Sequence, residues 1–382
     1  MIRGRDRPSK LAEEIVQADS NFNGGFGFIV AHFRECILVW GGSEDCVHLK
    51  KMPTKVIDKF SFSTKTWSRI KAHGDIPSAS YEASGVVISN DDDELAYIFG
   101  GQIMLDEYDL DDPAGMLWNE LHTQLSNQLT TLSPNGKFKR VNVVGKQVLS
   151  RTASRSWSYN GNPYFAFGHS NETSHEDCAY DDKQYMPMRH EQWCLDAGVC
   201  RDEYRTNEIL EFDKREKIFR RFDTEGSLLS PNDAADPSAA VAAVDEKVFV
   251  LIREQFLQLD MSTRQWTRLK DYLDHLSPYG PTFSVISDYE LMLMNNKESV
   301  TRIYNIEDQS WTGGPPLPSH TDEKTGELVV GLHKHQTVEV KKGNRVTKII
   351  CLGGHRQWVP DHYRAIHQFK SKIVEIDVQQ PR

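Results

Sequence analysis

"EQFLQLDMSTRQWTRL", from Glu254 to Leu269, joins an alternating strand to a polar turn and a second short strand built around Trp266. Alternation of apolar and polar residues has the two-residue period of a half-buried strand, and the turn residues between the halves make the unit a hairpin. The layout returns in "KVIDKFSFSTKTWSRI" (Lys55–Ile70) with Trp67, and in "NQLTTLSPNGKFKRV" (Asn127–Val141) with Phe138 behind an Asn135-Gly136 turn. It returns again in "NEILEFDKREKIFRRF" (Asn207–Phe222) with Phe219 and in "TRIYNIEDQSWTGG" (Thr301–Gly314) with Trp311. The aromatics at 219, 266 and 311 are 47 and 45 residues apart, the period of a four-stranded propeller blade.

An apolar run precedes each hairpin. "ILVWGGS" (Ile37–Ser43), "ELAYIFGGQ" (Glu94–Gln102), "YFAFGHS" (Tyr164–Ser170) and "IICLGG" (Ile349–Gly354) end on glycine, while "KVFVLIR" (Lys247–Arg253) and "YELMLMN" (Tyr289–Asn295) fill the same slot without it. Where inner strands converge on an axis the chain must turn among crowded backbones, and glycine permits both positive φ and close approach. The hairpin aromatic then offers a large apolar face to a neighbouring blade.

Six units follow, at roughly 24–77, 78–147, 148–228, 229–275, 276–318 and 319–378. The expected fold is all-β, a six-bladed β-propeller over 24–378 with insertions at about 103–128 and 170–205, an N-terminal segment 1–23 and a tail 379–382. The last unit holds one strand too few, and "SKLAEEIV" (Ser9–Val16) is placed to supply it and close the ring, which removes the exposed edge.

The net charge is −10 and the sequence pI about 5.8. That balance argues against a general nucleic-acid or anionic-membrane binder, which needs a concentrated basic surface. No apolar run reaches the 18 or so residues of a membrane span, and the charged N-terminus lacks the apolar stretch of a signal peptide. Six cysteines in 382 residues are too few for a disulfide framework. The expectation is a soluble protein, cytoplasmic or nuclear, with reduced thiols and no cofactor.

The chain as a whole resembles kelch β-propellers. More narrowly, "VWGGSEDC" (Val39–Cys46), "GDIPSAS" (Gly74–Ser80), "YIFGGQ" (Tyr97–Gln102) and "LGGHRQWVPDHYRAIHQFKSKIVEIDVQQ" (Leu352–Gln380) are similar to the kelch-domain-containing substrate receptors of cullin-RING ubiquitin ligases. The resemblance implies a protein or peptide ligand held at a central pocket, and cullin-RING ligase components as partners. It also implies blades that begin with a Pro-Arg-x-x-His segment whose arginine faces that pocket. "LSRTASRSW" (Leu149–Trp157) keeps Arg151 in that slot with Ser154 in place of the histidine, whereas blade four carries Asn232 there and blade five Gly280 or one of its neighbours. The adaptor-binding helix of that group follows the propeller and would lie beyond Arg382.

Segments leading into inner strands, and loops after the glycines, line the mouth of a propeller channel, where binding residues concentrate. The candidate partner-binding set is Tyr81, Glu82, Arg151, Arg155, Trp157, Arg253, His355, Arg356 and Trp358. Arg151 and Arg155 could clamp a carboxylate or phosphate beside the flat wall of Trp157; alternatively the arginines pair with acidic neighbours and Trp157 is core. The leucines at 117, 121 and 125 have helical spacing. The 170–205 insertion holds His175, Cys178, His190, Cys194 and Cys200 without a paired Cys-x2-Cys, and His333 and His335 share a strand face. Solvated or structural roles outweigh metal binding for these groups. No hydrolase elbow, P-loop or H-E-x-x-H occurs. The expectation is therefore a protein-interaction module rather than an enzyme, with a metal-dependent or small-molecule enzyme using the 170–205 flap as the alternative.

Overall fold

The computed structural model describes residues 13–14, 27–42, 55–78, 80–90, 93–104, 123–170, 185–187, 204–226, 239–252, 255–269, 281–294, 300–316, 320–321, 328–329, 336–342, 345–352 and 373–378. All regular structure among these residues is β, and no helix is long and apolar enough to cross a membrane.

Six sheets of four or five strands follow one another along the chain. The first comprises Ile29–His32, Cys36–Trp40, Val56–Ser61 and Thr66–Lys71; the second comprises Ser84–Ser89, Glu94–Phe99, Leu129–Leu132 and Lys137–Arg140. The third comprises Arg155–Tyr159, Asn162–Ala166, Ile209–Asp213 and Ile218–Arg221; the fourth comprises Ala240–Val244, Lys247–Ile252, Gln255–Asp260 and Gln265–Arg268. The fifth comprises Thr282–Ser287, Glu290–Met294, Val300–Asn305 and Ser310–Pro316. Gln336–Lys342, Arg345–Leu352 and Ile373–Asp377 form the sixth, whose fourth strand is Glu13–Glu14, with Glu13 opposite Glu375 and Glu14 opposite Val374. This series of small antiparallel sheets is compatible with a propeller. The second strands of sheets four and five form fully although their runs lack the glycine pair.

Two-residue parallel strands lie on the outermost strands of two sheets. His73–Gly74 pairs with Lys137–Phe138, and Glu225–Gly226 pairs with Gln265–Trp266. Each comes from the connection leaving the preceding sheet, and each covers an edge that would otherwise invite pairing with another chain.

The core lies between the sheets. Trp157, Tyr164 and Ile209 of the third pack with Val248, Val250 and Leu259 of the fourth. Phe249, Leu251 and Phe256 of the fourth pack with Phe283, Leu291 and Tyr304 of the fifth. Met292 and Met294 pack with Val346 and Ile349 of the sixth, and Val338 of the sixth joins Phe28, Ile37, Val39 and Trp67 around the first.

The hairpin aromatics face the preceding sheet. Phe138 lies 4.9 Å from Trp40, Phe219 5.1 Å from Phe99, and Trp311 5.3 Å from Phe256, between ring centroids. Full burial, as at Phe138, contributes about 1.5–3 kcal/mol, and the half-buried Phe219 and Trp311 contribute less. The turns repeat too: Lys65, Lys217, Arg264 and Gln309 take positive φ, each four residues after Ser61, Asp213, Asp260 or Asn305. Asp213 Oδ1 accepts from Arg215 and Glu216 N–H, Asp260 Oδ1 from Ser262 and Thr263, and Asn305 Oδ1 from Glu307 and Asp308, all at 2.8–3.0 Å. These side chains substitute for backbone acceptors in the turn.

The glycine pairs have the predicted conformation. Gly41, Gly42, Gly100 and Gly101 all have positive φ. Gly42 N–H donates to Ser80 O at 2.9 Å and Gly101 N–H to Arg151 O at 2.8 Å, in each case the segment leading into the next sheet. A Cβ on Gly100 would run into the Arg151 carbonyl oxygen, and one on Gly41 into that of Ser80.

Gly100→Ala is therefore expected to cost at least about 2 kcal/mol in urea unfolding, combining left-handed strain with forced separation of two backbones. A second expectation concerns acid. Backbone N–H groups, of Glu216 for Asp213 and of Thr263 for Asp260, hold both carboxyls below the usual aspartate range. Their stabilisation is present above the unfolded value and is lost as pH falls below about 4. The double variant Asp213→Asn, Asp260→Asn should flatten the acid limb of the stability–pH curve by lowering neutral-pH stability toward its acid value; Asn305 shows that an amide oxygen keeps the turn itself.

Candidate functional site

Three residues just ahead of the first strands of sheets one to three adopt the left-handed conformation: Gly27 (φ 65°), Glu82 (φ 55°) and Ala153 (φ 54°). Glu82 N–H donates to Gly27 O at 2.7 Å, and Ala153 N–H donates to Glu82 O at 3.0 Å. The sheets are thus tied neighbour to neighbour by a backbone belt. Between sheets three and four a side chain carries the belt onward. Arg155 Nη1 donates to the carbonyls of Ala153 (3.0 Å) and Ser154 (3.2 Å), and Arg155 Nε donates to that of Ala239 (3.0 Å). Left-handed backbone at a non-glycine residue is strained by about 1–2 kcal/mol, and such strain persists where surrounding structure enforces it, often at binding sites.

Inside the belt is a cavity of about 300 Å³ to which the first strand of every one of the six sheets contributes, through Val30, Gly85, Arg155, Val241, Thr282 and Glu339. Its wall is polar. Ser156 Oγ donates to Gly85 O at 2.9 Å, Thr337 Oγ1 donates to Phe283 O at 3.3 Å, and Glu339 Oε1 accepts from Val285 N–H at 3.2 Å. Glu82 and Ser154 complete the chemically active lining, and the buried Ser154 Oγ has no hydrogen-bond partner among the described residues.

Of the residues expected to bind a partner, Glu82 and Arg155 line this cavity. Arg151 is fully buried, and its Nη2 donates to Glu208 Oε2 at 2.7 Å with both side chains 1% exposed. Its guanidinium carbon sits 6.0 Å from the centre of the Phe99 ring. The two arginines therefore serve different neighbours: one an interior carboxylate, the other three carbonyls of the belt. Trp157 is core, stacked on Tyr164 at 6.1 Å between centroids; burial, then Glu211, push the Tyr164 phenol pKa far up. Tyr81 is buried in a short ladder opposite Gln102. Arg253, His355, Arg356 and Trp358 lie outside the described residues.

Residues not anticipated are Ser154 as a wall residue, Ser156, Thr337 and Glu339. The available signal was strand alternation: Thr337 and Glu339 are two apart in "QTVEVKK" and so share a face.

Both insertions spring from the cavity end of their sheets. Gln102–Met104 pairs with Thr123–Leu125 and with Ser80–Tyr81, and His169–Ser170 pairs with Tyr204–Thr206, which pairs in turn with Tyr185–Pro187. Leu125 is thus in a strand and not in the helix its spacing predicted, because Gln102 offers it a ladder partner. Leu117, Leu121, His333, His335 and the flap residues His175, Cys178, His190, Cys194 and Cys200 lie outside the described residues. Among the described residues no group of three or more His, Cys, Asp or Glu is placed to hold a metal ion. No protein-family model matches the chain, and no curated protein matches it significantly.

Removing one member of a buried ion pair leaves the other charge uncompensated, at a cost of about 3–5 kcal/mol. Arg151→Met is expected to lose stability on that scale in urea unfolding, and Arg151→Met with Glu208→Leu to recover a large part of it.

Proposed function

We propose that the chain is a six-bladed kelch β-propeller, its ring completed by the strand Glu13–Glu14, and that it works as a protein-interaction module. A partner protein or peptide binds at the central face, over the mouth of the axial cavity. The fold reading is supported by the 45- and 47-residue spacing of the hairpin aromatics and by the apolar clusters between successive sheets. It is supported further by the packing of Val338, in the last sheet, against the first. The functional reading is carried by one observation: a polar, charged cavity on which the first strands of six sheets converge. Concave sites with a few convergent polar groups are where ligands bind. The two insertions rise from the same end of their sheets and extend the contact area a partner would meet.

The likeness to kelch receptors extends this reading to substrate capture for a cullin-RING ubiquitin ligase. No catalytic step is assigned to the chain itself.

Affinity purification with mass spectrometry, on the wild type beside Thr282→Trp, tests the proposal, since Thr282 lines the cavity and an indole there would obstruct it. Partners lost from the variant, with its melting temperature unchanged, are the expected result. An unchanged partner set would place binding elsewhere. Cullin and adaptor subunits co-purifying with both proteins would support the ligase role, and their absence would leave a stand-alone interaction module.

A further inference from the structure

We infer that the axial cavity receives a basic side chain, lysine or arginine, from the bound partner. The inference rests on the interaction-module reading and adds the chemistry of the ligand.

Apart from the Arg155 guanidinium, the polar side chains of the described wall are carboxylates and hydroxyls. The carbonyls of Ala153, Ser154 and Ala239 already seat one guanidinium, that of Arg155, at 3.0–3.2 Å. The hydroxyl protons of Ser156 and Thr337 are directed onto the carbonyls of Gly85 and Phe283. A hydroxyl whose hydrogen is so engaged can offer an incoming group only its lone pairs. Among the described lining residues the charged groups are Glu82, Glu339 and Arg155, two carboxylates and one guanidinium, for a formal charge of −1. A focused field of that sign in a concave site attracts cations and repels a carboxylate.

Ser154 supplies an independent pointer to a ligand. It lines the cavity, is 5% exposed, and its Oγ has no partner among the described residues. A buried hydroxyl left without a partner is costly, and an ammonium or guanidinium entering the cavity would give it a donor. The backbone of Glu82, fixed on one side by Gly27 O and on the other by Ala153 N–H, holds that side chain's origin in place before a ligand arrives. Glu339 is held by the amide of Val285. A carboxylate held as that of Glu339 is loses little entropy on binding a cation.

The test is a fluorescence-polarisation screen of labelled peptides against the full chain, followed by single replacements in the peptides that bind. The expected result is that one lysine or arginine is indispensable, its change to norleucine weakening binding at least about tenfold, the size of one charge-assisted hydrogen bond. Glu82→Gln with Glu339→Gln should weaken the same peptides comparably and leave the melting temperature within a degree or so, since glutamine keeps the acceptor used by Val285 N–H. Arginine amide should compete with the labelled peptide. Peptides that bind without a basic residue, or that are indifferent to the two glutamine changes, overturn the inference while leaving the module reading intact. Binding of spermidine with no peptide binding would assign the site to a free amine and overturn the partner assignment. If neither peptides nor spermidine bind, or if peptide binding ignores Thr282→Trp, the module reading itself fails.

Discussion

Backbone meets backbone at the cavity end of sheets one to three, and the spacing of those sheets depends on that contact. Gly42 and Gly101 donate into the segments leading to the next sheet, and Glu82 and Ala153 reach back to the sheet before. A four-stranded sheet has two faces and cannot bury either alone, so each must find neighbours on both sides. Close approach at one end and bulky rings at the other make the gaps between sheets one and two and between two and three wedges. The narrow end is held by residues such as Gly41, Gly85, Gly100 and Ala240, and the wide end is filled by Trp67, Phe138, Phe219, Trp266 and Trp311. A larger side chain at the narrow end, or a smaller one at the wide end, changes the angle between sheets and so the room at the centre.

Much of this was legible in the amino-acid order. Hairpins around Trp67, Phe138, Phe219, Trp266 and Trp311 are local: strand, turn and returning strand are neighbours in sequence, and their alternation survives into the ladders. The glycine pairs were readable because positive φ is a property of one residue. The site was less legible because it depends on contacts between distant segments. Arg151 and Arg155 sit four residues apart in the same lead-in segment, and no local feature separates them. What separates them is Glu208, 57 positions later, which takes Arg151 into the interior, and Ala239, 84 positions later, which takes the Nε of Arg155.

Arg155 both joins two sheets and lines the cavity. Its guanidinium replaces a backbone amide in the belt, so the junction between sheets three and four depends on a side chain where the two earlier junctions depend on main chain. Arginine suits this position because its fork of donors can serve several carbonyls at once and remains charged at any physiological pH. The cavity therefore carries a fixed positive charge on one side while the carboxylates of Glu82 and Glu339 supply the opposite sign.

The pairing of Glu13–Glu14 with Ile373–Asp377 has a consequence for how the protein is made. The two partners are about 360 positions apart, so during translation the strand Glu13–Glu14 waits for its mate until Ile373–Asp377 has left the ribosome. Loop-closure entropy grows only slowly with length, which makes the delay one of timing more than of free energy. Through that interval the apolar surface around Phe28, Ile37 and Val39, which Val338 helps to cover, lacks its final neighbour. Nascent chains with such unfinished faces are prone to aggregate and are the ones chaperones hold.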